Sequence, residues 1–137
     1  MVITVYDKIL KALKEYNETL EQNYGNVVVG TSPSTPTYPL TVFDEIRNDP
    51  LTRTNIRPLD RVDNLGYELE IYAKTKGSVN KQTIARKIAK ELDDFLTERI
   101  GLQQLSMNPV PNVNDSSIYR INIRYSAKYF ENRAKIL

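Results

Sequence analysis

Apolar residues run through NKQTIARKIAKELDDFLTERI, residues 80–100, at Ile84, Ile88, Leu92, Phe95, Leu96 and Ile100. Steps of four, four, three, one and four lay one apolar stripe along an α-helix. Lys81, Arg86, Lys87, Lys90, Glu91, Asp94 and Glu98 fall on the opposite face. Asn80 suits the N-cap, Val79 before it can staple onto Ile84, and Gly101 supplies a left-handed stop. A second stripe, Tyr6, Ile9, Leu10, Leu13, Tyr16 and Leu20, predicts a helix over residues 4–23. Thr4 and Asp7 have capping-box spacing, with Asp in place of Glu, and Gly25 ends the pattern. Its other face, from Lys8 to Glu21, reads as solvated surface.

Between and after these helices the period changes to two. Residues 65–74 alternate Tyr67, Leu69, Ile71 and Ala73 with Glu68, Glu70, Tyr72 and Lys74, the signature of a half-buried strand. Residues 118–130 do the same, with Tyr119, Ile121, Ile123, Tyr125, Ala127 and Tyr129 inward and Arg120, Asn122, Arg124, Ser126 and Lys128 outward. Shorter strands are predicted at 27–30, 40–47 (Val42 and Phe43 on opposite faces) and 102–107. The TSPSTPTYP run and the prolines at 109 and 111 resist helix and central strand alike. Residues 48–64 read as a long loop, either a hairpin tip or an arm that orders on a partner. The C-terminal NRAKIL reads as a fraying tail. The order α, β, β, β, α, β, β argues for α+β: one domain over 1–137, a largely antiparallel sheet with two helices on one face, and a flexible loop at 48–64.

Composition removes much familiar chemistry. The chain has no cysteine and no histidine, so thiol nucleophiles, disulfides, Ser–His triads and His- or Cys-ligated metals cannot be built from it. No glycine-rich phosphate loop is present. Carboxylates remain. Asp93 and Asp94 point about 100 degrees apart on a helix, while Asp44, Glu45 and Asp49, or Asp60 and Asp63, are the sets that a Mg²⁺-dependent phosphodiesterase would use. The expectation is a non-enzyme without cofactor or metal. No apolar run spans a membrane, and the N-terminus lacks signal-peptide order, so a cytoplasmic start is expected unless a particle carries the chain out.

Net charge is only +2, from 19 basic and 17 acidic residues. Basic residues nevertheless collect at the end: Arg120, Arg124, Lys128, Arg133 and Lys135 face one acid, Glu131, over residues 118–137. Arg120, Arg124 and Lys128 share one strand face. They form either a stripe for phosphate or an acidic neighbour, with DNA bound without sequence preference, or a solubilising face that guards against edge pairing. A sheet with helices on one face leaves the other face and the edges for copies of itself, with Tyr72 and Leu105 as candidates for burial there. Arg53, Arg57 and Arg61 in the 48–64 segment are further interface candidates.

YDKILKALKEY, VFDEIRND, LGYELEIYAK, TIARKIAKELDDFL, GLQQLSMNPVPN and IYRINIRYSAKYFENR follow one another in this order. Together they resemble the tail completion, or minor capsid, proteins of tailed phages and prophages of Gram-positive bacteria, which are similar to tail terminators of long-tailed phages. The resemblance covers residues 6–133 and is weakest at 52–61. It implies an α+β fold with two helices over a sheet and a homohexameric ring, found in the virion after assembly in the host cytoplasm. That ring would cap the tail tube protein, dock on the head connector or neck protein, and let DNA pass only transiently through its lumen. It implies no catalytic residues. Another neck connector or adaptor ring protein follows the same logic.

Overall fold

The computed structural model describes residues 5–20, 25–50, 62–111, 115–130 and 135–136. Helix α1, Val5–Thr19, turns Ile9, Leu13 and Asn17 fully inward, spaced four apart. Tyr6, Leu10, Tyr16 and Leu20 flank that line, half-buried against the core. The expected cap at Thr4 lies outside the described residues. Strand β1, Val27–Val29, runs parallel to β2, Leu40–Pro50. Strands β3, Val62–Lys74, β4, Gln103–Val110, and β5, Ile118–Phe130, pair antiparallel with their neighbours in the order β1-β2-β3-β5-β4. The fold is therefore α+β, a largely antiparallel sheet with both helices on one face.

Helix α2, Lys81–Asp94, carries the chain from β3 back over the sheet to β4. Asn80 caps it as the sequence predicts: its Oδ1 accepts the Gln82 amide at 2.7 Å. The helix does not stay α-helical to its end. Residues Phe95–Ile100 widen into a π-helix, and the Gly101 amide donates five residues back to Leu96 O at 3.0 Å. The wider turn buries both Phe95 and Leu96, and Phe95 stacks on Tyr16 of α1 with ring centroids 4.4 Å apart. Gly101 then takes φ 93 and stops the helix.

The core lies between this helix pair and one sheet face. Leu65, Tyr67, Leu69, Ile71 and Ala73 of β3 and Ile121, Ile123 and Tyr125 of β5 meet Ile84, Ile88 and Leu92 of α2. Tyr6 of α1 stacks on Phe43 and Tyr67 at 5.6 and 6.3 Å, and its hydroxyl donates to Phe43 O at 2.6 Å. The end of α1 is fastened by a buried polar cluster. Asn17 Nδ2 donates to Asn26 O, Asn26 Nδ2 returns to Asn17 Oδ1, and Thr41 Oγ1 donates to Asn26 Oδ1, each at 2.9 Å.

Pairing corrects four boundaries. Strands β2 and β3 extend into the expected 48–64 loop, matching Asn48 with Leu65, Asp49 with Asn64 and Pro50 with Asp63; residues 51–61 lie outside the described residues. Helix α1 ends at Thr19 rather than at 23. Strand β4 runs on through Pro109, which an edge strand tolerates because one side of its backbone needs no partner. Within the expected fraying tail, Lys135–Ile136 forms β6 and pairs with Phe130 and Tyr129 of β5.

A charged network on the open sheet face

The face away from the helices is laid out by register. Across the sheet its rows read Leu40–Tyr72–Arg120–Val110, Val42–Glu70–Asn122–Asn108 and Asp44–Glu68–Arg124–Ser106, with Asp49–Asn64–Lys128 further along. Tyr72, Arg120, Arg124 and Lys128, singled out from the sequence, do share this face. Arg53, Arg57 and Arg61 lie outside the described residues.

The basic stripe is tied down at one end, at Arg120. Arg120 Nη2 lies 2.6 Å from Glu70 Oε2, and its Nε donates to the same oxygen at 2.8 Å. The Tyr72 hydroxyl also donates to Glu70 Oε2, and the Arg120 guanidinium lies over the Tyr72 ring, 5.4 Å from its centroid. Asn122 Nδ2 donates to Glu68 Oε1 at 2.6 Å and to Glu70 Oε1 at 3.3 Å. Arg124 approaches Glu68 at 4.0 Å while staying mostly exposed. Among the described residues Lys128 has no ion pair.

These contacts separate two neighbouring carboxyls. Burial pushes Glu70 up, but hydrogen bonds from Glu68, Arg120 and Tyr72 outweigh it and hold Glu70 at about 2. Its interaction with Glu70, then burial, pushes Glu68 up. Burial and the bond to Glu70 push the Tyr72 hydroxyl upward as well. The sequence already carried a sign of this. Glu68 and Glu70 share the parity of Tyr72, but only the register sets them beside Arg124 and Asn122, each one row from the next.

The other candidate carboxylates do not converge. Asp44 lies on the open face and Glu45 on the helix-covered one, beside Tyr67. Asp49 is exposed and 3.7 Å from Arg47, and Asp60 lies outside the described residues. Asp93 accepts the buried Tyr125 hydroxyl at 2.6 Å, whereas Asp94 pairs with Lys90 at 3.0 Å. No group of three or more metal-ligating side chains occurs among the described residues. On the helix side a groove of about 510 Å³ runs between Tyr16 and Leu20 of α1 and Lys87 and Glu91 of α2. Among its described lining residues the one carboxylate, Glu91, already accepts the Tyr16 hydroxyl at 3.3 Å. No described helix is long and apolar enough to cross a membrane.

The large exposed aliphatics among the described residues lie towards the two sides of the sheet: Val27 on β1, Ile46 on β2, and Leu105 and Met107 on β4. Comparison with known protein families finds none that matches this chain, and a search of curated proteins finds no match either.

Proposed function

We propose that this chain is a structural virion protein of a long-tailed phage or prophage, the tail terminator or tail-to-head joining protein. It works as a homo-oligomeric ring that caps the tail tube and docks on the head connector. The observation that carries this reading is the division of the sheet. One face is covered by both helices, while the other is a charged surface, and exposed aliphatic side chains lie on β1, β2 and β4. Such a layer suits repeated lateral contacts between copies. The segment order shared with tail completion proteins agrees with it. A neighbouring connector or adaptor ring of the neck would use the same layer.

The open face also suits a lumen through which DNA passes. Glu70 and Glu68 offset Arg120 and Arg124, so the wall would hold phosphate weakly and release it readily. Disrupting the gene in its prophage tests the role. The expected particles have tubes of uncontrolled length and heads without tails. Normal, infectious particles made without this protein would sink the reading.

A further inference from the structure

Strand β2, whose outer side pairs with β1 over Leu40–Val42 and lies beyond that pairing at Ile46, and the edge strand β4 share a construction that pairing register makes visible. Each carries a β-bulge, and each bulge holds one large exposed aliphatic side chain. On β2 the irregularity lies between Glu45 and Arg47 and contains Ile46, 49% exposed. On β4 it lies between Gln104 and Ser106 and contains Leu105, 63% exposed. Both bulges border the same row, Glu45–Tyr67–Tyr125–Gln104. Ile46 and Leu105 therefore lie near opposite ends of one row, Ile46 on its Ser126 side and Leu105 on its Arg124 side. The β2 bulge has a dedicated seat: a Cβ on Gly66 would come within 2.9 Å of Arg47 Cβ and 3.4 Å of Ile46 Cγ1. Single exposed aliphatics are ordinary on any surface; two at matched ends of one row are a pair of complementary positions.

Charge follows the same rows. Asp44 lies on the Ile46 side in the row of Arg124, and Asp49 in the row of Lys128. Among the described residues the edge near Ile46 is acidic, with Arg47 as its single base, while Arg124 and Lys128 lie towards the Leu105 edge. A contact of Leu105 with Leu105 would set Arg124 against its own copy. A contact of Leu105 with Ile46 sets Arg124 against Asp44. Backbone pairing is a poor means of joining at β4, since a bulge and Pro109, which has no N–H, both interrupt the ladder.

We propose that copies of this chain join head to tail, with Leu105 of one packed by side-chain contact against Ile46 of the next and Arg124 facing the next copy's Asp44. This rests on the ring-forming reading above and gives that ring its seam. Because the two positions border one row from its opposite sides, successive copies are added with only a small step along the strands. That favours closure into a ring over growth into a helix.

The absence of cysteine from the chain makes the seam directly readable. In the full-length protein, Ile46→Cys with Leu105→Cys should give a ladder of disulfide-linked species under mild oxidation. A mixture of the two single variants should stop at dimers, and neither single variant alone should cross-link. Arg124→Glu should lower the yield about tenfold, and adding Asp44→Lys to the same chain should restore it. Circular dichroism establishes that each variant is folded. Dimers from Leu105→Cys alone would overturn the proposal in favour of a two-fold contact. Rings seen by native mass spectrometry without this cross-link would overturn the seam and leave the ring reading standing. A chain that neither associates nor cross-links would overturn the seam, while gene disruption judges the ring reading separately.

Discussion

The two faces of the β3–β5 pair are made from the same two strands yet are held by different forces. On the helix-covered face, Tyr67, Leu69, Ile71, Ile123 and Tyr125 are fully buried, and burial of apolar area dominates. On the open face, Glu68, Glu70, Tyr72, Arg120 and Asn122 are only half-buried and hold one another through charge-assisted hydrogen bonds. The covered face can even carry unpartnered polar atoms: Tyr67 OH and Glu45 Oε1 are buried with no hydrogen-bond partner. On the open face Glu68, Glu70, Tyr72, Arg120 and Asn122 are matched to one another while staying partly exposed. Stability therefore resides mainly on one side, which leaves the other side free to vary its contacts without unfolding the chain.

The largest test of this contrast is Leu92→Ala beneath α2. Leu92 is 0% exposed, and such truncations cost about 2–5 kcal/mol. A melting temperature unchanged from the parent would show that the helix-covered face is not the seat of stability. Next is Arg120→Ala on the open face. A fully buried ion pair would lose roughly 3–5 kcal/mol, but with the Arg120 side chain 28% exposed the expected loss in denaturant titration is about 1–2 kcal/mol. It should also change the acid response. Glu70, held at about 2, lies below the ordinary glutamate value of 4.5. Its ionised form therefore stabilises the fold above pH 4.5, and that contribution is lost as pH falls from 4.5 towards 2. Glu68, pushed up, acts in the opposite sense and offsets part of the gain at neutral pH. The acid-side decline should be shallower in Arg120→Ala, and an equally steep decline would count against the network.

The smallest effect separates two tyrosines in one row. Tyr125→Phe removes the 2.6 Å bond to Asp93 and should cost about 1 kcal/mol. Tyr67→Phe removes a buried hydroxyl without a partner and should be neutral or mildly stabilising. Equal losses at both positions would mean that the Tyr67 hydroxyl has found a partner.

Much of the fold could be read locally. Asn80 and Gly101 mark both ends of the long helical segment, and the alternation from Ile118 to Phe130 gives β5 its full length. Period and cap chemistry reside within a few residues of each other, so one sequence suffices. The extension of β2 to Pro50 was less legible, because Asn48 and Asp49 are poor strand formers kept in place by Leu65 and Asn64 across the ladder. Proline at 109 likewise reads as a break until β4 is known to be an edge.

What the sequence by itself determined is which residues face which way: two apolar stripes, two alternating strands, and an alphabet without histidine or cysteine. Only the tertiary structure decided what each outward residue meets. Arg120 is tied to Glu70 across 50 positions of chain, and Ile46 and Leu105 come to opposite ends of one row. Parity along a strand is a property of neighbouring peptide units, whereas register depends on the packing of the whole sheet under its helices. A stripe that reads as free positive charge in one dimension is, in three, bound to Glu70 at Arg120 and set near Glu68 at Arg124.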